Sequence, residues 1–408
     1  MSVLLSLAIL LSGCIMTVRY GFVQKHLGKS FATVFEKETK GEISPFGALC
    51  TTLAATLGTG NIVGVAGAVA LGGPGALFWM IFAALLGMAL KYAECYAAVL
   101  TKGPFYYIET VLGKRAGQVF ALCGAAAGSI SIGTSLQMDS VIGVLDTQRQ
   151  TGAFSFRSFI ICIITALLAG WVLLGGAKGV VRFCEAVIPV LSIGYFLCCG
   201  VILWNFRAAI PEALLSIVKG AFCPTAVLGG AGGSILKTMT VGISRGVFSN
   251  EAGLGSAPIA AAAAGGSPHK QGLMAMCSVF LDTVVICFIS GLCVVVTGAY
   301  AEPASARPEV LAFKTGLGST GVKLLIVFLC IFAFTTIVGW YYFASACFRY
   351  LTHNRFETVF RIFYISMLLL APFVQSERLW VLADTLNFGM ALLNLTALLL
   401  LKFKKSRV

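Results

Sequence analysis

Eleven apolar runs follow one another along this chain, with only short polar connections between them. Their approximate limits are 2–18, 45–70, 75–99, 117–144, 157–174, 184–204, 212–240, 271–298, 321–347, 358–374 and 379–401. A helix that crosses a bilayer needs about 20 apolar residues, so most of these runs have the length of a crossing. The chain is 58% hydrophobic and 11% charged, whereas a soluble domain carries about 25% charged residues. The sequence therefore predicts an all-α integral membrane protein with about 11 transmembrane helices and no soluble domain.

The formal net charge of +13 does not point to nucleic acid, because the cations sit between apolar runs. With the N-terminus outside, 19 of the 29 Lys and Arg, among them Arg19, Lys102, Lys114, Arg245, Arg349 and the tail residues Lys402, Lys404, Lys405 and Arg407, fall in inner connections, against 8 in outer ones. Cytoplasmic connections carry such an excess, which predicts N-terminus out and C-terminus in. The fourteen cysteines form no CxxC pair and mostly lie inside apolar runs; they read as small packing residues. "LLSGC", 10–14, resembles a lipoprotein cleavage box, but the residues before it lack the basic n-region of a signal, so 2–18 reads as a first transmembrane helix.

Two apolar runs contain glycine clusters that a helix tolerates poorly: "GTGN", 58–61, and "GGAGG", 229–233. If the first run is peripheral, ten remain and divide into halves, 45–204 and 212–401, flanked by residues 1–44 and the basic tail 402–408. Each half then opens with an interrupted span. Five is odd, so the two halves have inverted topology. Paired interruptions in inverted halves are the sequence mark of a secondary transporter's binding site. Broken backbone is tolerated at membrane depth only where it is buried in protein or lines a wet cavity. The free N–H groups after a break suit an anion. The free carbonyls before it suit a small cation.

The tract 56–94, "TLGTGNIVGVAGAVALGGPGALFWMIFAALLGMALKYAE", resembles the alanine or glycine:cation symporter family. So do "RGVFSNEAGLGSAPIAAAAA" (245–264) and "QGLMAMCSVFLDTVV" (271–285). Shorter matches are "GPFYYIE" (103–109), "FAFTTIVGW" (332–340) and "LADTLNFGMALLN" (382–394). The resemblance implies one peripheral helix plus a five-plus-five inverted-repeat (LeuT-like) core with broken first and sixth core helices. It implies symport of sodium with a small neutral amino acid, alanine or glycine, in a bacterial or archaeal inner membrane. Carried over residue by residue, Gly58, Thr59, Gly60 and Asn61 would meet the substrate carboxylate, with Gly229 and Gly230 at the second break. Gln137, Thr336 and Trp340 would line the pocket, the Trp leaving room for little beyond a small side chain. The carbonyls of Ala54, Leu57 and Phe332 and the hydroxyls of Thr335 and Thr336 would hold sodium. The expected partners are the amino acid and the lipid bilayer, without nucleic acid or an organic cofactor, and the carrier is expected to be a monomer.

The chain departs from the family's pattern in three places. The connection "LTKGPFYYI" is short, "WYYFAS" lacks the Gly-Glu that often follows the tyrosines, and Asp139 stands in "SLQMDS" where asparagine is usual. An intramembrane carboxylate is a functional candidate, so Asp139 offers an alternative: a proton-coupled carrier of the same fold. Asp282 and Asp384 read as interior polar packing, Glu251 as an inner-loop gating residue near Arg245, and Lys91 and Glu94 as a pair on one helix face or as snorkelling side chains. His26, His269 and His353 lie outside any nucleophile motif, and "GAGGS" lacks the lysine of a phosphate loop. The expectation is a carrier driven by an ion gradient, not an enzyme.

Overall fold

The computed structural model describes residues 3–34, 41–146, 155–223, 235–302, 307–374 and 376–401, and all regular structure among them is helical. A first pair, α1 (Val3–Arg19) and α2 (Leu27–Val34), precedes α3 (Pro45–Thr56) and α4 (Val63–Gly72). The long helix α5 (Gly75–Thr101) follows, then α6 (Pro104–Leu112) and α7 (Lys114–Leu145), which passes through a π-turn at Ala127–Ser131. Helices α8 (Phe156–Leu174), α9 (Gly176–Asn205) and α10 (Ile210–Phe222) lead to α11 (Ile235–Asn250) and α12 (Ala257–Ala264). The chain ends with α13 (Pro268–Val296, π-helical over Phe280–Cys287), α14 (Pro308–Thr352, kinked at Gly318), α15 (Glu357–Leu370) and α16 (Ser376–Leu400).

Seven of these helices are long and apolar enough to cross a membrane. Two further pairs qualify as bent spans, Leu4–Arg19 with Val23–Val34 at 69° and Pro45–Thr56 with Thr59–Gly72 at 64°. The predicted run 358–374 is shorter as a helix, Glu357–Leu370 followed by a 3₁₀ turn. The predicted span 212–240 is not one helix, since α10 stops at Phe222 and α11 starts at Ile235 and continues to Asn250. The expected break at 229–233, with Gly229 and Gly230, lies outside the described residues.

The second half does contain a break among its described residues, at 251–256. Glu251, Gly253 and Gly255 all have positive φ there (53°, 93° and 79°). The order short helix, break, short helix, tight turn, long helix thus occurs twice: α3, α4, α5 and α11, α12, α13. Two contacts fix the relative direction of these segments. The Glu42 N–H, just before α3, donates to Ala263 O near the end of α12 at 2.8 Å. Thr238 Oγ1, at the start of α11, donates to Gly72 O at the end of α4 at 2.8 Å. Each broken segment begins where the other ends, so they run antiparallel.

Small residues set how closely these elements approach, as expected where packing must replace a hydrophobic driving force between helices. A Cβ at Gly242 on α11 would lie 2.3 Å from Ala76 O on α5. One turn on, a Cβ at Gly246 would lie 3.1 Å from Met80 O. This seam presses the second broken segment onto α5. By contrast α8 and α9 present Ile164, Leu167, Trp171, Val190 and Leu197 outward, each more than half exposed, as lipid-facing helices do.

Candidate substrate and cation site

The first break is built by a short run of residues with few options. Helix α3 starts at an N-cap Ser44 whose hydroxyl accepts from the Gly47 N–H at 2.8 Å, with Pro45 in the first turn. It ends at Thr56, and the chain re-forms a single 3₁₀ turn over Thr59–Asn61 before α4. The Gly58 N–H is satisfied internally, by Thr56 O at 2.9 Å and Asn61 Oδ1 at 3.1 Å. The Asn61 N–H donates to Gly58 O at 3.2 Å. Of the four N–H groups expected to face an anion, those of Gly58 and Asn61 are therefore already used. Those of Thr59 and Gly60 open the 3₁₀ turn and have no hydrogen-bond partner among the described residues.

Around this pair the structure gathers most of the residues expected to form the site. Thr59 Oγ1 donates to Gln137 Oε1 at 3.2 Å, joining the break to α7. Gln137 is held from behind, its Nε2 donating to Ile132 O at 3.1 Å. A Cβ at Gly58 would lie 2.7 Å from Thr336 Oγ1 and 3.4 Å from Gln137 Oε1. Phe332, Thr335, Thr336 and Gly339 recur along α14 at helical spacing, which makes one stripe facing the break, and Trp340, one turn beyond Thr336, packs on α7 at Gly128 and Gly133. These α14 residues are all buried.

The expected cation ligands fall in one cluster. Thr336 Oγ1 approaches Leu57 O at 3.4 Å and Phe332 O at 3.0 Å, and Thr335 Oγ1 donates to Phe332 O at 2.9 Å. Ala54 is buried one turn before Leu57 and packs against Gly339. These are carbonyl and hydroxyl oxygens without a soft donor, a set suited to a hard cation.

Asn61 points to the other side, where its amide donates to Asp282 Oδ1 at 2.7 Å and Ser249 Oγ at 3.1 Å. Asp282 also receives Ser249 Oγ at 2.7 Å and Thr283 Oγ1 at 2.8 Å. It is interior polar packing, as its sequence context predicts, but it packs directly on the first break. Asp139 is half-buried and lies two residues beyond Gln137. Positions two apart on a helix do not share a face, so Asp139 is turned away from the Thr59–Gln137 contact. One turn on, a Cβ at Gly143 would lie 3.0 Å from an Arg307 guanidinium nitrogen.

The second break departs most from expectation. Glu251 is 3% exposed and is not in a solvated loop. Its Oε1 accepts from Trp340 Nε1 at 3.0 Å and its Oε2 from Ser256 Oγ at 2.5 Å. Arg245 is not beside it but within α11, stacked 4.9 Å over Trp380 and near Asp384. Lys91 and Glu94 neither snorkel nor simply pair, and both are 0% exposed. Lys91 Nζ donates to Asn250 O, the last carbonyl of α11, at 2.8 Å. Glu94 accepts from Asn394 Nδ2 and sits beside the N–H groups of Gly253 and Gly255. Asn394 also donates to Gly253 O at 2.9 Å. A cation thus meets the carbonyl end of one half-helix and an anion the N–H groups that follow, the polarity that helix ends prefer.

The two breaks differ in consequence. The protein's own side chains occupy the second, whereas the first keeps two N–H groups open. Sequence reasoning missed Ser249, Asn250 and the Lys91–Glu94–Asn394 support. The signal was present in "SNEAGLGS", which carries the same mix of glycine and polar residues inside an apolar run as "LGTGN".

Two cavities open between the helices, and no residue of the cluster lines either. One of about 740 Å³ is lined by Lys102, Glu109, Lys114, Ile259, Tyr342 and Arg349. Another of about 270 Å³ is lined by Leu71, Arg245, Phe248, Trp380 and Asp384. The Phe248 ring stands between the smaller cavity and Gly60, where an added Cβ would meet it at 3.6 Å.

A buried polar site at a helix break, in a bundle of membrane-spanning helices, defines a multi-pass membrane transporter. The chain belongs to the sodium:alanine symporter family, whose model matches residues 1–408. It is 38% identical over 415 residues to the sodium/alanine symporter AgcS of Methanococcus maripaludis, covering 96% of this chain and 90% of that one. It is 44% identical over 414 residues to an uncharacterized transporter of Haemophilus influenzae, with the same coverage of 96% and 90%. It is 32% identical over 418 residues to GlnT of Bacillus subtilis, named a probable sodium/glutamine symporter, covering 98% and 86%.

Proposed function

We propose that this chain imports a small neutral amino acid, alanine or glycine, by sodium-coupled alternating access. The observation that carries the reading is the pair of open N–H groups at Thr59 and Gly60, set beside the oxygen cluster of Leu57, Phe332, Thr335 and Thr336. The substrate carboxylate binds the two N–H groups, with the Thr59 hydroxyl and Gln137 beside it. Sodium takes the carbonyls of Ala54, Leu57 and Phe332 with the two threonine hydroxyls, and so steadies α3 against α14. Trp340, held by Glu251, closes the pocket on the side of the second break and keeps it small. The antiparallel broken segments act as the first and sixth core helices of a five-plus-five inverted repeat, and the second repeat opens at α11. The larger cavity, lined by Lys102, Lys114 and Arg349, then faces the cytoplasm, and Arg245, placed within α11, no longer counts among the inner cations. A charge moving inward gains about 2.3 kcal/mol per 100 mV, and the sodium gradient adds to it.

The proton-coupled alternative needs Asp139 at the site, and the helix turns it away from Gln137, so sodium is the preferred ion. The test is uptake of labelled alanine into vesicles reconstituted with the purified chain. An inward sodium gradient should drive saturable uptake and counterflow, and choline replacement at fixed pH should abolish both. Undiminished uptake in choline would discard sodium coupling. Competition by glycine, serine and glutamine would then define the substrate.

A further inference from the structure

Glu251 occupies a backbone position with φ of 53°, and the two glycines of the break that follow it, Gly253 and Gly255, have φ of the same sign. Glycine would adopt that conformation without strain, so the carboxylate there has a use that glycine cannot fill. Both its oxygens are engaged, one by the Trp340 indole N–H and the other by Ser256 Oγ. Trp340 is 0% exposed and has little room elsewhere. A Cβ at Gly133 on α7 would lie 2.6 Å from Trp340 Cβ, and one at Gly128 would lie 3.2 Å from its Cε3. Phe343 meets the ring edge-on at 6.0 Å. The ring therefore sits in a glycine cradle on one side, and its N–H is anchored by Glu251 on the other. Behind Glu251, Lys91 holds the adjoining Asn250 carbonyl, so the anchor is tied to the rigid helix α5.

We propose that Glu251 is a positioning residue for Trp340: the Glu251–Trp340 hydrogen bond fixes the indole as the pocket wall and so sets the size limit on the transported amino acid. This rests on the function proposed above. Glu251 does not touch substrate. It acts by holding the ring in one orientation, and the second break is the platform from which it does so. An indole freed from this bond can tilt within its cradle, and a tilted ring admits a longer side chain.

The test measures the preference for alanine over glutamine, as the ratio of their inhibition constants against labelled alanine uptake in sodium. Wild-type uptake in that assay stands or falls with the proposed function. The ratio alone judges Glu251. Glu251→Ala should lower the ratio about tenfold, the scale of one hydrogen bond to a charged group. Glu251→Gln keeps an acceptor for the indole and should recover most of it. Trp340→Phe removes the donor together with part of the ring and should relax the ratio by at least a similar factor. Adding Glu251→Ala to Trp340→Phe should then change the ratio no further, because residues that act through one contact are not additive. If Glu251→Ala does not reach the membrane, Glu251→Gln and Trp340→Phe carry the test. An unchanged ratio in Trp340→Phe, or additive effects in the double variant, would overturn the proposal and leave Glu251 as a support of the break alone.

Discussion

Gly58 and Thr336 meet so closely that a single methyl group on the glycine would lie 2.7 Å from the threonine hydroxyl. Thr336 cannot easily yield, since it is 1% exposed and its hydroxyl is bonded to Phe332 O at 3.0 Å. Gly58 itself has an ordinary extended backbone, φ −127°, so the requirement for glycine is one of space. Overpacking of this kind costs about 1–3 kcal/mol. Gly58→Ala should cut sodium-driven alanine uptake by about tenfold or more. Gly60→Ala, whose new methyl would meet only Phe248 at 3.6 Å, should retain uptake near the wild-type rate. Parallel measurement of both variants, normalised to protein in the vesicle, checks the contrast. Equal loss in the two would mean that the Gly58–Thr336 contact is not the constraint.

Thr336 also carries the link between α14 and the Leu57 carbonyl. Thr336→Val keeps the shape and removes the oxygen. The sodium concentration for half-maximal uptake should rise about tenfold, while Thr336→Ser stays close to wild type. A hydrogen-bond or ligand oxygen lost from a buried site is worth about 1–3 kcal/mol, which sets that scale. A sodium titration of initial rates is sufficient. A changed alanine affinity at unchanged sodium dependence would leave Thr336 with its place in the substrate pocket alone.

Much of this site could be read from the chain because its chemistry is local. Gly58 to Asn61 stand out as polar and glycine residues in an apolar run. Thr335, Thr336 and Trp340 repeat at helical spacing. The break at 251–256 is harder to read, because "EAGLGS" has less glycine than "GGAGG" and glycine density alone does not mark a break. What decides is support: Lys91, Glu94 and Asn394 come from two distant helices to satisfy residues 250–255. No spacing in the chain shows that convergence. Arg245 was misassigned to a loop for the same reason, since moving the break to 251 makes it part of α11, beside Trp380.

Lys91 is a buried cation within reach of three buried carboxylates, Glu94, Glu251 and Asp282. Lys91→Met leaves those anions uncompensated and unties the end of α11. Removing one partner of a buried charged pair costs about 3–5 kcal/mol, so this variant should lose most of its folded, monodisperse fraction in detergent on heating. Lys91→Met with Glu94→Gln removes one excess charge and should recover part of the loss. Thermal stability followed by size-exclusion chromatography checks both. A Lys91→Met protein as stable as wild type would show that the carboxylates are compensated in another way.

Asp139 provides the last discrimination, because the two coupling ions place opposite demands on it. Under sodium coupling it lies off the Gln137 face and outside the oxygen cluster, and Asp139→Asn should transport alanine with an unchanged sodium dependence. Under proton coupling the same substitution removes the carrier of the proton and should abolish uptake driven by an inward pH gradient in choline. The measurement therefore pairs the two gradients in wild type and Asp139→Asn vesicles. Sodium-driven uptake retained in both proteins, with no pH-driven uptake in either, is the expected result. Loss of sodium-driven uptake in Asp139→Asn would put the carboxylate in the coupling machinery, despite the helix geometry that turns it from the first break.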